Sequence, residues 1–326
     1  MVCNNMTLPR LALAVIGDEI GPSLDEMISF AHEHGIKRLD MRSVGGRSLL
    51  SMTHDEVIAI SDTLDKAGLI VPTFVAPVLK WPAPGNSSSG GKNNFAFDPK
   101  ECPVDDPLMH AMEIAVILNA LNVRIFSHLR YDGFRPPDLA VVGGQLATLL
   151  GHANHFDITL QLESARGCNI DNIAELANFF RTQDAEKQER EVRDLRFGDD
   201  KFEGEPKEIE EAIAPDEHRV YLRPLVDIGN AWASGKAPTD SDIAILAPLT
   251  TAITLKDHDE AAGKAVPLGD GNVPWAVELT RLLSGVRANQ VLASIETQCP
   301  EQGGNATARS VMAISRIAQD VGVELI

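Results

Sequence analysis

Eight short runs of β-branched and apolar residues recur along the chain, and amphipathic stretches with helical spacing fall between them. The runs are Leu11–Ile16, Arg38–Arg42, Leu69–Val75, Val123–Ser127, Ile158–Glu163, Leu222–Asp227, Ala252–Asp257 and Val291–Glu296. Most begin about 30 residues apart, the repeat expected of alternating strands and helices. After the first run, Ser23-Leu-Asp-Glu26 has the spacing of a capping box, in which the serine and glutamate side chains satisfy backbone donors at a helix start. Leu24, Met27, Ile28 and Ala31 then share one helical face, and Gly35 stands where a terminating glycine belongs. Thr53-His-Asp-Glu56 repeats the device ahead of Val57, Ile60, Leu64 and Ala67, with Gly68 closing that helix. A helix near 107–120 precedes the fourth run, and Pro274 suits the first position of a helix carrying Val277, Leu282 and Leu283.

Strands alternating with helices predict an α/β chain, a single (β/α)8 TIM-barrel domain over residues 1–326. The rival is a doubly wound sheet. It needs a Gly-rich phosphate fingerprint after a strand, and none is present; Gly143-Gly144 and Gly303-Gly304 read as turns. Two connections are too long for plain loops. Residues 81–106, with Pro82, Pro84 and a Gly/Ser-rich stretch from Gly85, follow the third strand and predict a flexible loop over the barrel mouth. Residues 183–217 predict a charged insertion, in which pairs such as Glu186–Arg190 and Glu189–Arg193 have helical i,i+4 spacing.

Composition narrows the partners. With 29 Lys+Arg against 47 Asp+Glu, the net charge is −18, which argues against nucleic acid and against a polybasic membrane anchor. The insertion is itself rich in acids, so the net charge says little about the substrate. Cys3, Cys102, Cys168 and Cys299 form no CxxC pair, consistent with free thiols in a reducing compartment. No apolar run reaches the roughly 18 residues of a spanning helix, so the sequence is read as that of a soluble cytoplasmic protein.

Candidate chemistry sits at the C-terminal ends of the predicted strands, where barrels build their sites. Glu163, Asp227 and Glu296 close the fifth, sixth and eighth runs. Three carboxylates at one mouth repel each other unless a cation compensates, and all-oxygen ligands suit Mg2+ or Mn2+. His128 ends the fourth strand and is expected to face the mouth, either as a general acid or base or as a hydrogen-bonded rim residue. Arg42, Lys80 and Lys256 are candidates for binding hydroxyl, carboxylate or phosphate groups. Trp232, with Trp81 and Trp275, offers either a stacking surface for a sugar or aromatic core.

Leu160-Gln-Leu-Glu163, Asp227-Ile-Gly-Asn-Ala-Trp232, Leu255-Lys-Asp257, Pro267-Leu-Gly-Asp-Gly-Asn-Val-Pro-Trp275 and Ser294-Ile-Glu-Thr297 follow one another in an order that resembles the xylose-isomerase-like sugar isomerase/epimerase barrels. Arg42 in Asp40-Met-Arg-Ser43 and Ala76-Pro-Val-Leu-Lys80 are similar to strand ends in one branch of that superfamily. The resemblance implies a divalent cation held by Glu163, Asp227, Glu296 and a histidine on the seventh strand. It implies, too, that the cation polarises a sugar carbonyl while one glutamate removes the α-proton and the other returns one, through an enediolate. One position departs from the pattern: relatives read His-x-Lys-Asp on the seventh strand, and this chain has Thr254. His258 has the same strand parity and reaches inward if the strand continues; otherwise water completes the shell, or the metal binds weakly or not at all. Ser164-Ala165 also replaces the usual polar-acidic pair after Glu163.

The function expected is therefore a divalent-metal-dependent sugar isomerase or epimerase, with a homo-oligomer as the assembly. The runner-up is the lyase subunit of a two-component enzyme that cleaves 3-oxo (C-)glycosides by the same α-deprotonation, with a second, smaller subunit. A third reading, a non-catalytic sugar-binding barrel, draws on Thr254.

Overall fold

The computed structural model describes residues 8–85, 97–131, 139–182 and 221–326. The barrel strands are β1 (Arg10–Ile16), β2 (Leu39–Asp40), β3 (Thr73–Val78), β4 (Asn122–Ile125), β5 (Thr159–Glu163), β6 (Leu222–Asp227), β7 (Ala252–Leu255) and β8 (Gln290–Ile295). They form one parallel sheet in the order β2-β1-β8-β7-β6-β5-β4-β3. Backbone bonds from Leu39 N to Ile70 O (2.9 Å), Met41 N to Thr73 O (3.1 Å) and Val75 N to Met41 O (2.8 Å) join its edges. This is the (β/α)8 barrel that the alternation of runs predicted.

The helices that cover it are α1 (Leu24–Glu33), α2 (His54–Lys66), α3 (Pro107–Ile117), α4 (Leu139–His155), α5 (Ile173–Thr182), α6 (Ile228–Ala233), α7 (Asp240–Leu246), α8 (Trp275–Leu283) and α9 (Gly304–Val321). Both predicted capping boxes are present, Ser23 with Glu26 and Thr53 with Glu56. Gly35 and Gly68 adopt the positive φ, 65° and 70°, that ends those helices with no Cβ penalty. Strands covered on both faces are continuous apolar runs, as burial on both sides requires: Leu11, Ala12, Ala14, Val15 and Ile16 of β1 are all buried. Cys102, Cys168 and Cys299 are free thiols. No helix among the described residues is long and apolar enough to cross a membrane.

Two local expectations shift. The third strand begins at Thr73 rather than Leu69, because Pro72 has no N–H to give a ladder, and it extends through Pro77 across a register shift between Phe74 and Val78. On α8, Val277 is 64% exposed, and the inward face is Trp275, Glu278, Leu279, Leu282 and Leu283, so the helix is rotated from the predicted one. The insertion 183–217 lies outside the described residues.

At the barrel's centre Asp40 of β2 is buried. It accepts a short hydrogen bond from the Ser294 hydroxyl, while its Oδ1 has no hydrogen bond among the described residues. Burial pushes its carboxyl up to about 7, against the pull of Ser294, of the neighbouring Thr73 and of Arg124. A carboxyl whose folded pKa lies above its unfolded value binds more protons in the folded state, so stability falls as pH rises between the two. Asp40→Asn removes that term. The Tm of the variant relative to wild type is therefore expected to climb between about pH 4 and about pH 7 and to level off above. Thermal melts across that range, read by circular dichroism, check it.

Candidate active site

The ends of the strands bring Glu163, Asp227 and Glu296 together: one carboxylate oxygen of each lies within 4.8 Å of the others, and all three residues are buried. Such proximity needs positive charge, and the chain supplies it. The Lys256 ammonium, just past β7, stands 2.7 Å from Asp227 Oδ2 and 2.6 Å from Glu296 Oε2. Arg124 of β4 reaches Glu163 Oε2 at 3.1 Å and Glu296 Oε1 at 3.4 Å. Arg42 touches Glu296 Oε1 at 3.1 Å while binding Asp18 at 3.0 Å. Burial alone would raise the carboxyl of Glu296, but Lys256, Arg124 and Arg42 together hold it well below the usual carboxylate range. Burial likewise opposes charge on Lys256, yet Asp227 and Glu296 win and raise its pKa.

Arg124 was not foreseen as a site residue. Its signal was present, since an arginine inside a strand run buried on both faces must find an anion, but the sequence does not say which one. Asp227 Oδ1 accepts the Asn230 N–H at 2.8 Å, capping α6, and Asn230 Nδ2 donates to Glu163 Oε1 at 3.4 Å. Gly229, between them, lets the turn press on β7: a Cβ there would stand 2.3 Å from Lys256 Cγ and 2.6 Å from its carbonyl oxygen.

A cavity of about 1140 Å3 opens above these groups, lined by Glu163, Glu296, Arg124, Arg42, Lys80 and Asn230 among others. Phe97 and Glu101, from the loop after β3, also line it; residues 86–96 of that loop lie outside the described residues. Lys80 is buried, its ammonium 4.2 Å from the centre of the Phe126 ring, and burial lowers its pKa.

Four expectations for the site change. Lys256 does not line the cavity; it is a buried counter-ion of the acids. Trp232 is also absent from the lining, because its indole N–H turns to Glu278 Oε1 (3.3 Å) on α8. His128 is wholly buried with φ +60°, and its ring turns from the cavity to the Trp81 carbonyl, Nδ1 to oxygen 3.2 Å. Burial lowers its pKa. His258 is not among the ligand atoms that converge with the triad. The barrel strand stops at Leu255, and Asp257 starts a separate hairpin, Asp257–Asp259 against Lys264–Val266. The Asp257 carboxylate turns the chain there, accepting N–H groups from His258 (2.9 Å), Gly269 (2.9 Å) and Val273 (3.1 Å). That explains the Pro267–Trp275 motif: its backbone forms the carboxylate's cradle, and a Cβ on Gly271 would lie 2.2 Å from Asp257 Oδ1.

The three acids do fit a divalent cation. Glu163 Oε2 and Asp227 Oδ2 are buried oxygens without a hydrogen bond among the described residues, although each has an ion-pair partner. Lys256 competes for the same charge. Lys256→Met leaves Asp227 and Glu296 short of a counter-ion and is expected to cost about 3–5 kcal/mol. Added Mn2+ is expected to raise the Tm of the variant by more than it raises that of wild type. Melts of both proteins with and without the ion measure the difference.

No family model matches the sequence, and no curated protein matches it. Solved structures do. The IolI protein with a zinc atom aligns over 95% of this chain and 99% of its own, with TM-score 0.65 and 11% identity. A D-tagatose 3-epimerase-like protein aligns over 95% and 98%, with TM-score 0.62 and 13% identity. A xylose isomerase domain protein from Planctomyces limnophilus aligns over 97% and 99%, with TM-score 0.58 and 13% identity. The likeness is one of fold: this chain is a (β/α)8 TIM barrel similar to the barrels of these structures.

Proposed function

We propose that the protein is a sugar isomerase or epimerase that exchanges a proton on carbon next to a carbonyl. The observation that carries this reading is the pair of carboxylates, Glu163 and Glu296, that line one cavity while sharing Arg124. Two carboxylates facing a bound sugar can remove a proton from one carbon and return it to the same carbon or its neighbour. The triad fits a divalent cation, Mn2+ or Mg2+ by its all-oxygen ligands, held by Glu163, Asp227 and Glu296. When bound, such an ion supplies Lewis-acid polarisation of the carbonyl. The chain's own groups do the rest. Glu296, kept ionised by three cations, is a weak base, so Glu163 is assigned the proton abstraction and Glu296 the opposite side of the sugar. Arg42 and Lys80, which line the cavity, are assigned the binding of hydroxyl groups or a carboxylate. The neighbours in fold named for sugar epimerases support the reading.

A second reading, cleavage of 3-oxo glycosides after the same deprotonation, draws on the cavity. Its volume, about 1140 Å3, exceeds the roughly 300–1,000 Å3 usual for small-ligand sites, leaving room for an aglycone beside the sugar.

Incubation of the protein with keto sugars, inososes and 3-oxo glycosides in D2O tests both readings. Deuterium at the α-carbon of a sugar whose carbon skeleton and substituents stay intact marks the isomerase, and a released aglycone marks the lyase. Glu163→Gln is expected to lower the exchange rate by about 10²–10⁴-fold with an unchanged circular dichroism spectrum. Sugar binding with no exchange by the wild-type protein would leave a binding barrel instead.

A further inference from the structure

A second convergence of ligand-type side chains lies outside the barrel, where α2 packs on α3. His54 opens α2, and His110 and Glu113 share one face of α3. His54 Nε2 stands 3.1 Å from His110 Nδ1 and 3.1 Å from Glu113 Oε2, and His110 Nδ1 is 3.9 Å from the same oxygen. We infer that these three side chains form a binding site for Zn2+ or a similar imidazole-preferring divalent cation, separate from the barrel mouth.

The hydrogen-bond arithmetic points the same way. His110 is buried, and its Nε2 lies 2.9 Å from the Met52 carbonyl, which can only accept, so that nitrogen carries the hydrogen. Nδ1 therefore presents a lone pair toward the other two side chains. A carbonyl fixing the tautomer of a ring is the arrangement that metal-binding histidines use. His54 Nε2 has at most one hydrogen, yet faces two acceptors, the bare Nδ1 and the carboxylate. A cation satisfies all three atoms at once.

The dimensions agree. A tetrahedral zinc with bonds of about 2.1 Å has ligand–ligand edges of roughly 3.4 Å, and the three observed edges, 3.1, 3.1 and 3.9 Å, bracket that value. Two imidazoles and one carboxylate favour zinc over the all-oxygen preference of Mg2+ or Ca2+. The side chains of His54 and Glu113 are 42% and 37% exposed, so the fourth position is open to water. Bound there, the ion ties the first turn of α2 to the middle of α3. The site uses no residue of the barrel triad and stands independently of the proposed function.

The experiment is a zinc titration of the full-length protein, stripped with a chelator, against a chromophoric competitor. Co2+ substitution reports coordination geometry, and melts report stabilisation. His110→Ala would also break the Met52 contact, so the variants are His54→Ala and Glu113→Gln, on half-exposed positions, with Glu163→Gln as the control for binding at the mouth. Wild type is expected to bind Zn2+ with a tetrahedral Co2+ spectrum and a rise in Tm. His54→Ala and Glu113→Gln should each weaken that binding by at least about tenfold and lose the rise in Tm, and Glu163→Gln should keep both. The proposal is overturned if wild type binds no zinc, if both variants bind as wild type does, or if only Glu163→Gln abolishes binding.

Discussion

Three buried carboxylates within reach of one another are tolerable only with positive charge among them, and the protein meets that condition with its own side chains. Lys256 stands between Asp227 and Glu296, and Arg124 stands between Glu163 and Glu296. Removing one partner of such a pair strands a charge in a medium that cannot solvate it. The strand ends around the mouth are therefore bound to each other by electrostatics as well as by the ladder. β4 contributes Arg124, β5 and β6 contribute Glu163 and Asp227, and Lys256 and Glu296 directly follow β7 and β8. The cavity floor is a salt lattice, and any exogenous cation enters it in competition with an ammonium.

The way the chain reaches that lattice explains two motifs that look like loop sequence. Asp257 gathers three backbone N–H groups and so turns the chain two residues after the seventh strand ends at Leu255. Because that turn carries His258 into a hairpin, His258 does not stand in at the triad for the imidazole missing at Thr254. Where the side chain of His258 can reach is thus set by where a single carboxylate bends the backbone.

Much of this was legible beforehand. The strand runs, both capping boxes and the three carboxylates at strand ends are local patterns, since periodicity and caps involve residues within a few positions of each other. What was hidden is non-local. Glu296 meets Arg124 from 172 residues away, and nothing in either neighbourhood names the other. His128, at a strand end, is expected at the mouth, and Trp232 offers either a stacking surface or core; a positive φ turns the one aside and a distant glutamate holds the other off the cavity. His54, His110 and Glu113 escaped notice because two helices contribute them, and helix-to-helix register is not written in either helix alone.

Gly229 has one more consequence. Its missing side chain is the space that the end of the seventh strand occupies, down to the carbonyl of Lys256. The helical turn after strand six and the end of strand seven are therefore interlocking parts, so any larger residue at 229 must arrive together with a rerouted strand end. The two places are coupled by steric exclusion, with no shared ligand or hydrogen bond required.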